Sequence, residues 1–236
     1  MPTPGLPTLA FQISNYIEAW TKYPFLTYFK NTILVVVAAT MGNVMSSSIT
    51  AFGFARIRFP GRDFLFVILI STMMLPYQVK IIPLFQMYKT IGWLNSLWPL
   101  IVPAFFAAAS PFFVFLMRQF FLSIPEELAD AARIDGCGFV NIYLRIFLPL
   151  TKPAMVTVAL FSFMDNWNDF FMPLIYINSN QFKTLSLGLA GMTGQYVSDW
   201  HIIMAASVIT VLPCVIIFLL AQRHFVEGIA LSGIKG

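Results

Sequence analysis

Ser123-Ile124-Pro125-Glu126-Glu127-Leu128-Ala129-Asp130-Ala131-Ala132-Arg133-Ile134-Asp135-Gly136, running on through Cys137 to Pro149 and Lys152-Pro153, is the most polar stretch of a very apolar chain. Ser123 and Glu126 stand at capping-box spacing, and Pro125 suits a first helical turn. These signals predict a helix of about three turns. Gly136 stops it, because glycine takes the left-handed conformation of a helix C-terminus at little cost. One face of the helix is small and apolar: Leu128, Ala131 and Ala132. A second amphipathic segment comes next, with Phe139, Ile142, Tyr143, Ile146 and Phe147 on one stripe and Asn141 and Arg145 on the other. Pro149 closes it. Two short helices with a glycine joint, set between apolar runs, have the form of a docking element.

The runs on either side are membrane-like. Of 236 residues, 58% are hydrophobic, 16% aromatic and 10% charged, whereas a soluble domain is nearer about a quarter charged. The fold class is therefore all-α, a polytopic transmembrane helical bundle in contact with a lipid bilayer. The net charge of +4 is small and spread out, so it reads as topology and gives no nucleic-acid patch. Cys137 and Cys214 lie at different expected depths and make neither a metal site nor a disulfide framework. His201 and His224 are isolated. There is no Gly-rich phosphate loop ending in Lys-Ser/Thr, no His-Glu-x-x-His and no Gly-x-Ser-x-Gly. With no catalytic set, the chain reads as a non-enzyme with no cofactor of its own, and energy must come from a partner.

Five spans are expected, over residues 29–54, 63–88, 97–120, 154–176 and 202–220, each near the roughly 20 residues that cross a bilayer. Gly42, Ser46, Ser47 and Ser48 give the first a small-residue face suited to close packing. Residues 1–28 hold no span, nor the basic region and apolar core of a signal peptide. Arg56, Arg58 and Arg62 share one loop, Arg118, Arg133, Arg145 and Lys152 surround the loop after next, and Arg223 and Lys235 lie in the tail. The alternate connections carry little charge, so the Arg-rich regions are expected in the cytoplasm. The domains are then an extracytoplasmic segment 1–28, a membrane domain 29–225 with a cytoplasmic loop 121–153, and a cytoplasmic tail 226–236.

The loop's spacing is sharper than its amphipathicity. Asp130-Ala131-Ala132, three residues, Gly136, nine residues, then Ile146-Phe147-Leu148-Pro149 resembles the EAA loop of type I ABC-importer permeases, with Asp130 in place of the family's Glu. An ordinary cytoplasmic loop with a capped helix would not need this pattern at full length. The runs Ala55-Arg56-Ile57-Arg58-Phe59-Pro60-Gly61, Ile81-Ile82-Pro83-Leu84 and Trp167-Asn168-Asp169-Phe170 resemble the sugar-importer branch. So does the ending from Gln222-Arg223 to Lys235-Gly236. The resemblance implies a second, maltose-permease-like subunit in the cell (inner) membrane. It would act with a homologous second permease, an ABC ATPase dimer carrying ATP and Mg, and an extracytoplasmic solute-binding protein. Such permeases begin with one more helix, so the family's first helix is expected to be absent here. The resemblance makes the loop the ATPase contact, and Glu127, Leu128, Asp130, Ala131, Ala132 and Gly136 are its expected surface. Other cargoes of the same machine, such as glycerol phosphate or polyamine, or a stand-alone channel, are the alternatives.

A second functional stretch is Asp165-Asn166-Trp167-Asn168-Asp169. Acids at membrane depth are expensive and normally face a cavity or a partner. Amides beside an aromatic ring suit a sugar's hydroxyls and apolar face. Asn166, Trp167 and Asn168 are thus candidates for the translocation path, with Gln78 and Asn43 on the same reasoning. An interfacial anchor at Trp167 and helix-joining amides are the plainer alternatives.

Overall fold

The computed structural model describes residues 12–106, 110–192 and 199–233, the last thirteen of these as backbone only. Every regular element among them is helical, as the composition requires. The short amphipathic helix α1 (Ile13–Lys22) precedes α2 (Phe25–Arg56). With 32 residues, α2 is about 48 Å long at 1.5 Å per residue, ample for a hydrocarbon core about 30 Å thick. It is the central post, flanked by α6 and α10. Of its expected small-residue face, Gly42, Ser47 and Ser48 are buried, and Ser46 is half-buried, donating to the Ala104 carbonyl at 2.9 Å.

Proline shapes the chain beyond α2. Gly61, left-handed at φ 78°, starts α3 (Arg62–Ser71), which tightens into a 3-10 turn over Thr72–Met74. Pro76 then disfavours helical geometry at Leu75, which is extended at ψ 110°. α4 (Tyr77–Thr90) leaves at 99° to the preceding piece, so the expected second span is a broken one. The expected third span is also divided. α5 (Trp98–Ile101) runs into a 3-10 turn, Val102–Phe105, and a separate helix α6 (Pro111–Ser123) supplies only 13 residues. Pro99, Pro103 and Pro111 set those boundaries, since each removes a backbone donor.

The loop region contains α7 (Glu127–Ile134), α8 (Phe139–Ile142), a π-helical turn at Tyr143–Phe147 and α9 (Leu148–Leu150). α10 (Lys152–Asn168) departs from it at 75°. The expected fourth span, over 154–176, breaks at Asp169. Its carboxylate accepts the backbone N–H groups of Phe171 (3.0 Å) and Met172 (3.1 Å) and starts α11 (Phe171–Tyr176). On that far side Asn95, at φ 56°, accepts from the N–H groups of Asn178 and Ser179, while its own N–H donates to Tyr176.

α12 (Leu185–Ala190) lies against α2. Thr32 accepts the Leu185 N–H at 2.8 Å, and Asn31 donates to the carbonyls of Gln181 and Lys183. A Cβ at Gly188 would stand 2.2 Å from the Tyr28 ring, so this approach needs glycine. α13 (Trp200–Gly233) completes the bundle; its Trp200–Leu220 portion has a mean hydropathy of 2.8. Helix continues through Gly233, so the expected tail is helical over most of its length. Residues 234–236 and 1–11 lie outside the described residues. Lys22 donates to Asp199 and Glu18 faces His201 at 3.6 Å, tying α1 to the start of α13. The shared hydrogen bond holds the Asp199 carboxyl below the usual carboxylate range and raises Lys22.

By length and composition, α2 and Trp200–Leu220 each suffice to cross a membrane, and the two bent pairs qualify when each is taken as one span. Among the described residues that makes up to four spans, with α6 as a shorter apolar helix, where five continuous ones were expected.

Candidate functional site

α6 runs farther than the capping-box reading allows. Ser123 is its last residue, and the Ser123 hydroxyl donates to the carbonyl of Phe120 at 2.8 Å. It caps nothing: the preceding apolar residues carry α6 through this position, and Pro125 holds Ile124 extended at ψ 133°. α7 therefore begins at Glu127, with no side-chain cap, and has eight residues, about two turns rather than three. Its end is as expected. Gly136 is left-handed at φ 80°, the Cys137 N–H bonds the Ala132 carbonyl at 2.9 Å, and the Gly136 N–H bonds Arg133 at 3.0 Å. This double bond is the Schellman arrangement that satisfies the last carbonyls of a helix.

The faces of α7 need one correction. Ala129 and Ala132 are buried, at 1% and 7% exposure, one turn apart on the same side. Glu127, Leu128, Asp130, Ala131 and Gly136 are exposed. Ala132 thus belongs to the inner face, and Ala129, which spacing did not single out, joins it. In the second segment Ile142 and Phe147 are buried, Tyr143 and Ile146 half-buried, and Asn141 and Arg145 exposed. Phe139, placed on the inner stripe by spacing, is 52% exposed at the helix start.

The inner faces of both segments enter one apolar cluster with the long helices. It contains Phe52 and Ala55 of α2, Met117 and Phe121 of α6, Ala129 and Ala132 of α7, Ile142, Phe147, and Val158 of α10. Phe52 lies at its middle, with ring centroids 5.8 Å from Phe121, 5.1 Å from Tyr143 and 5.4 Å from Phe147. Ser48 and Tyr143 share a 2.9 Å hydrogen bond.

Arg56, which the sequence marked for orientation and as part of a family-like run but gave no contacts, ties the elements together. Its guanidinium donates to the carbonyls of Phe121 and Ile124, at the end of α6, and lies 4.8 Å over the Phe147 ring. Arg58 adds a looser pair with Glu126 at 3.7 Å. On the exposed face Asp130 is paired with Arg133. α7 is thus seated through Ala129 and Ala132 in the same cluster that joins α2, α6 and α10.

The path candidates divide. Trp167 is in the interior at 1% exposure; its indole N–H donates to the Thr210 carbonyl at 3.0 Å and its ring stacks on Phe163. Asn43 is buried as well, donating to Ser162 at 2.9 Å and accepting from Ser110 at 3.1 Å, a clamp between α2, α10 and the start of α6. Asn166 bonds back to the Ser162 carbonyl and is half-buried. Asn168 and Gln78 are exposed. Asn168 lines an open cavity of about 510 Å³ together with Asp165, Asp169 and Phe171.

Similarity to known proteins matches this geometry. Residues 42–230 match the family described as binding-protein-dependent transport system inner membrane component. The chain is 35% identical, over 95% of its length and 80% of the relative's, to the arabinooligosaccharides transport system permease protein AraQ of Halalkalibacterium halodurans. It is 35% identical to the sn-glycerol-3-phosphate transport system permease protein UgpE of Salmonella typhi, over 87% of this chain and 73% of that one. Its fold superposes with a TM-score of 0.81 on a chain of a bacterial ABC transporter involved in the import of the acidic polysaccharide alginate. There the identity is 24%, over 91% of this chain and 80% of the other. The polar loop and the apolar helices around it are accordingly parts of one known kind of machine, and the chain belongs to the binding-protein-dependent inner membrane component family, as a permease subunit of an ABC importer.

Proposed function

We propose that this subunit forms half of the translocation pathway for a sugar or oligosaccharide and takes its power stroke through α7. The cytoplasmic partner is an ABC ATPase dimer, which carries the ATP and Mg. A homologous second permease completes the pathway, and an extracytoplasmic binding protein delivers cargo. The Arg-rich loops and the coupling loop face the cytoplasm by the distribution of positive charge.

One observation carries this reading. α7 has a two-sided character: Glu127, Leu128, Asp130, Ala131 and Gly136 are left open, while Ala129 and Ala132 are embedded in the core shared with α2, α6 and α10. A partner that grips the open face moves the bundle as a rigid body, the transition that alternating access requires. The small side chains at 131 and 136 allow close approach, and the carboxylates reach basic groups on the partner. Sugar cargo is supported by the arabinooligosaccharide relative; the glycerol-3-phosphate relative makes that solute the second reading.

The test is co-purification of the chain expressed with its neighbouring genes, then ATPase assay with cargo panels and the binding protein. A second permease and an ATPase should come with it, and a sugar should stimulate hydrolysis. Stimulation by glycerol 3-phosphate alone overturns the sugar assignment. A chain that purifies alone, or conducts solute alone, overturns the coupling reading.

A further inference from the structure

Two ionisable side chains at membrane depth, Lys80 half-buried and Asp165 exposed on the surface of the subunit, are left unpaired. Lys80 lies on α4 just beyond the Leu75-Pro76 bend, and Asp165 lies on α10. Neither has an ion-pair or hydrogen-bond partner among the described residues; the Lys80 ammonium only overhangs the Tyr77 ring, 5.9 Å from its centroid. Yet both line one cavity of about 340 Å³, whose walls include Thr72, Tyr77, Ser110 and Phe112.

Depth makes this arrangement costly. Counted at about 1.5 Å per residue from Arg62 in α3 and from Lys152 in α10, the bend and Asp165 both stand roughly 20 Å from the coupling-loop end. That is inside a hydrocarbon core about 30 Å thick. Ionisable groups at such depth pair with each other or face a watery cavity or a partner. A lysine can snorkel to the interface on its long arm, but the short arm of Asp165 cannot. Lys80 and Asp165 share a space without closing on each other, so the space between them is where their partners belong.

The chemistry of the walls selects the partner. A carboxylate accepts from hydroxyl groups, an ammonium donates to them, and the Thr72 and Ser110 hydroxyls do both. The Tyr77 ring is fixed by its 2.7 Å hydroxyl bond to Tyr176 and by the edge of Phe171, and with Phe112 it offers an apolar face. One positive and one negative group give no net field for a multiply charged anion. A volume of about 340 Å³ is at the small end of the roughly 300–1,000 Å³ typical of ligand pockets, room for one ring at a time.

We propose that Lys80, Asp165 and Tyr77 form a cargo-contacting subsite for a neutral, hydroxyl-rich ring, so that this subunit grips cargo itself. This rests on the importer reading above; it gives a partnered role to Asp165, which opened the polar stretch noted in the sequence, and adds Lys80 and Tyr77, which the sequence did not mark as cargo contacts.

The test uses the full importer complex in proteoliposomes, with Cys137 and Cys214 replaced by serine and Asp165→Cys or Lys80→Cys introduced singly. The probes are an arabinooligosaccharide and glycerol 3-phosphate, each supplied with the binding protein. A membrane-impermeant thiosulfonate should modify both cysteines, and the arabinooligosaccharide should slow the modification. In the cysteine-intact complex, Asp165→Asn and Lys80→Met should raise the import KM for that sugar about tenfold, as expected for the loss of a charged hydrogen bond. A complex that imports the sugar while the cysteines stay unmodified, or are modified at an unchanged rate, overturns the subsite and leaves the importer reading intact. Protection by glycerol 3-phosphate alone overturns the neutral-ring assignment. Import of neither probe overturns the sugar-cargo reading, and the subsite falls with it.

Discussion

Gly136 combines an observed role in local folding with a place on the proposed docking surface. Its φ of 80° is the left-handed value that ends α7, and a Cβ there would meet nothing within 4 Å. Any penalty for substitution is therefore backbone strain, about 1–2 kcal/mol for an ordinary L-residue and less for asparagine, which tolerates this region. Gly136→Asn should keep the thermal stability of the purified complex near wild type, and Gly136→Val should lower it. If the partner ATPase approaches this exposed point closely, both should reduce transport per ATP hydrolysed, whatever their stability. Loss of coupling that tracks stability alone would confine Gly136 to the helix cap. Trp167 carries the opposite lesson: beside two amides it had the make-up of a sugar contact, yet its ring packs inside, on Phe163.

At the scale of elements, the coupling region is held by Arg56 and Phe147 rather than by α7's own length. Arg56 reaches two carbonyls at the end of α6 and covers the Phe147 ring. A planar guanidinium does this with one group, whereas an ammonium is a single point of charge. Arg56→Lys is expected to keep membrane insertion but weaken coupling, read as ATP hydrolysis that no longer depends on cargo. Phe147→Ala removes a ring with 0% exposure and should cost about 3–5 kcal/mol by the usual cavity cost. Phe147→Leu should lose much less, and melting of the complex in detergent distinguishes them. Equal loss from both would mean that the cluster around Phe52 does not carry the loop. In the sequence Arg56 was legible as a positive charge beside a membrane span and as part of a family-like run, but not through its contacts. Its carbonyl partners lie more than sixty residues away, and no spacing rule reaches that far.

For the whole molecule, the charge-based topology makes a direct expectation. In a background lacking Cys137 and Cys214, Asp130→Cys should react with an impermeant thiol reagent in cells only after permeabilisation. Lys183→Cys should react without it. The reverse pattern would invert the orientation and remove the docking surface from reach of an ATPase. Three ends of the bundle also converge at one level: Arg56 meets the end of α6, and the loop packs on both with α10. The inner face of α7 is thereby packed against residues of α2, α6 and α10 at once.

The sequence by itself determined the all-α membrane class, the Arg-rich side, the glycine stop at 136 and the loop that names the family. Each of these is local: composition, charge between spans, a left-handed turn, a fixed spacing. The tertiary structure alone decided that the second span breaks by 99° at Pro76, that Ser123 ends α6 instead of capping α7, and that Ala132 faces inward with Ala129. It also decided that Asn43 and Trp167 are interior while Lys80 and Asp165 meet at one cavity. A polar side chain in an apolar helix has the same sequence signature whether it clamps two helices or lines an open space. Only the neighbours brought in from other helices determine which of the two it does.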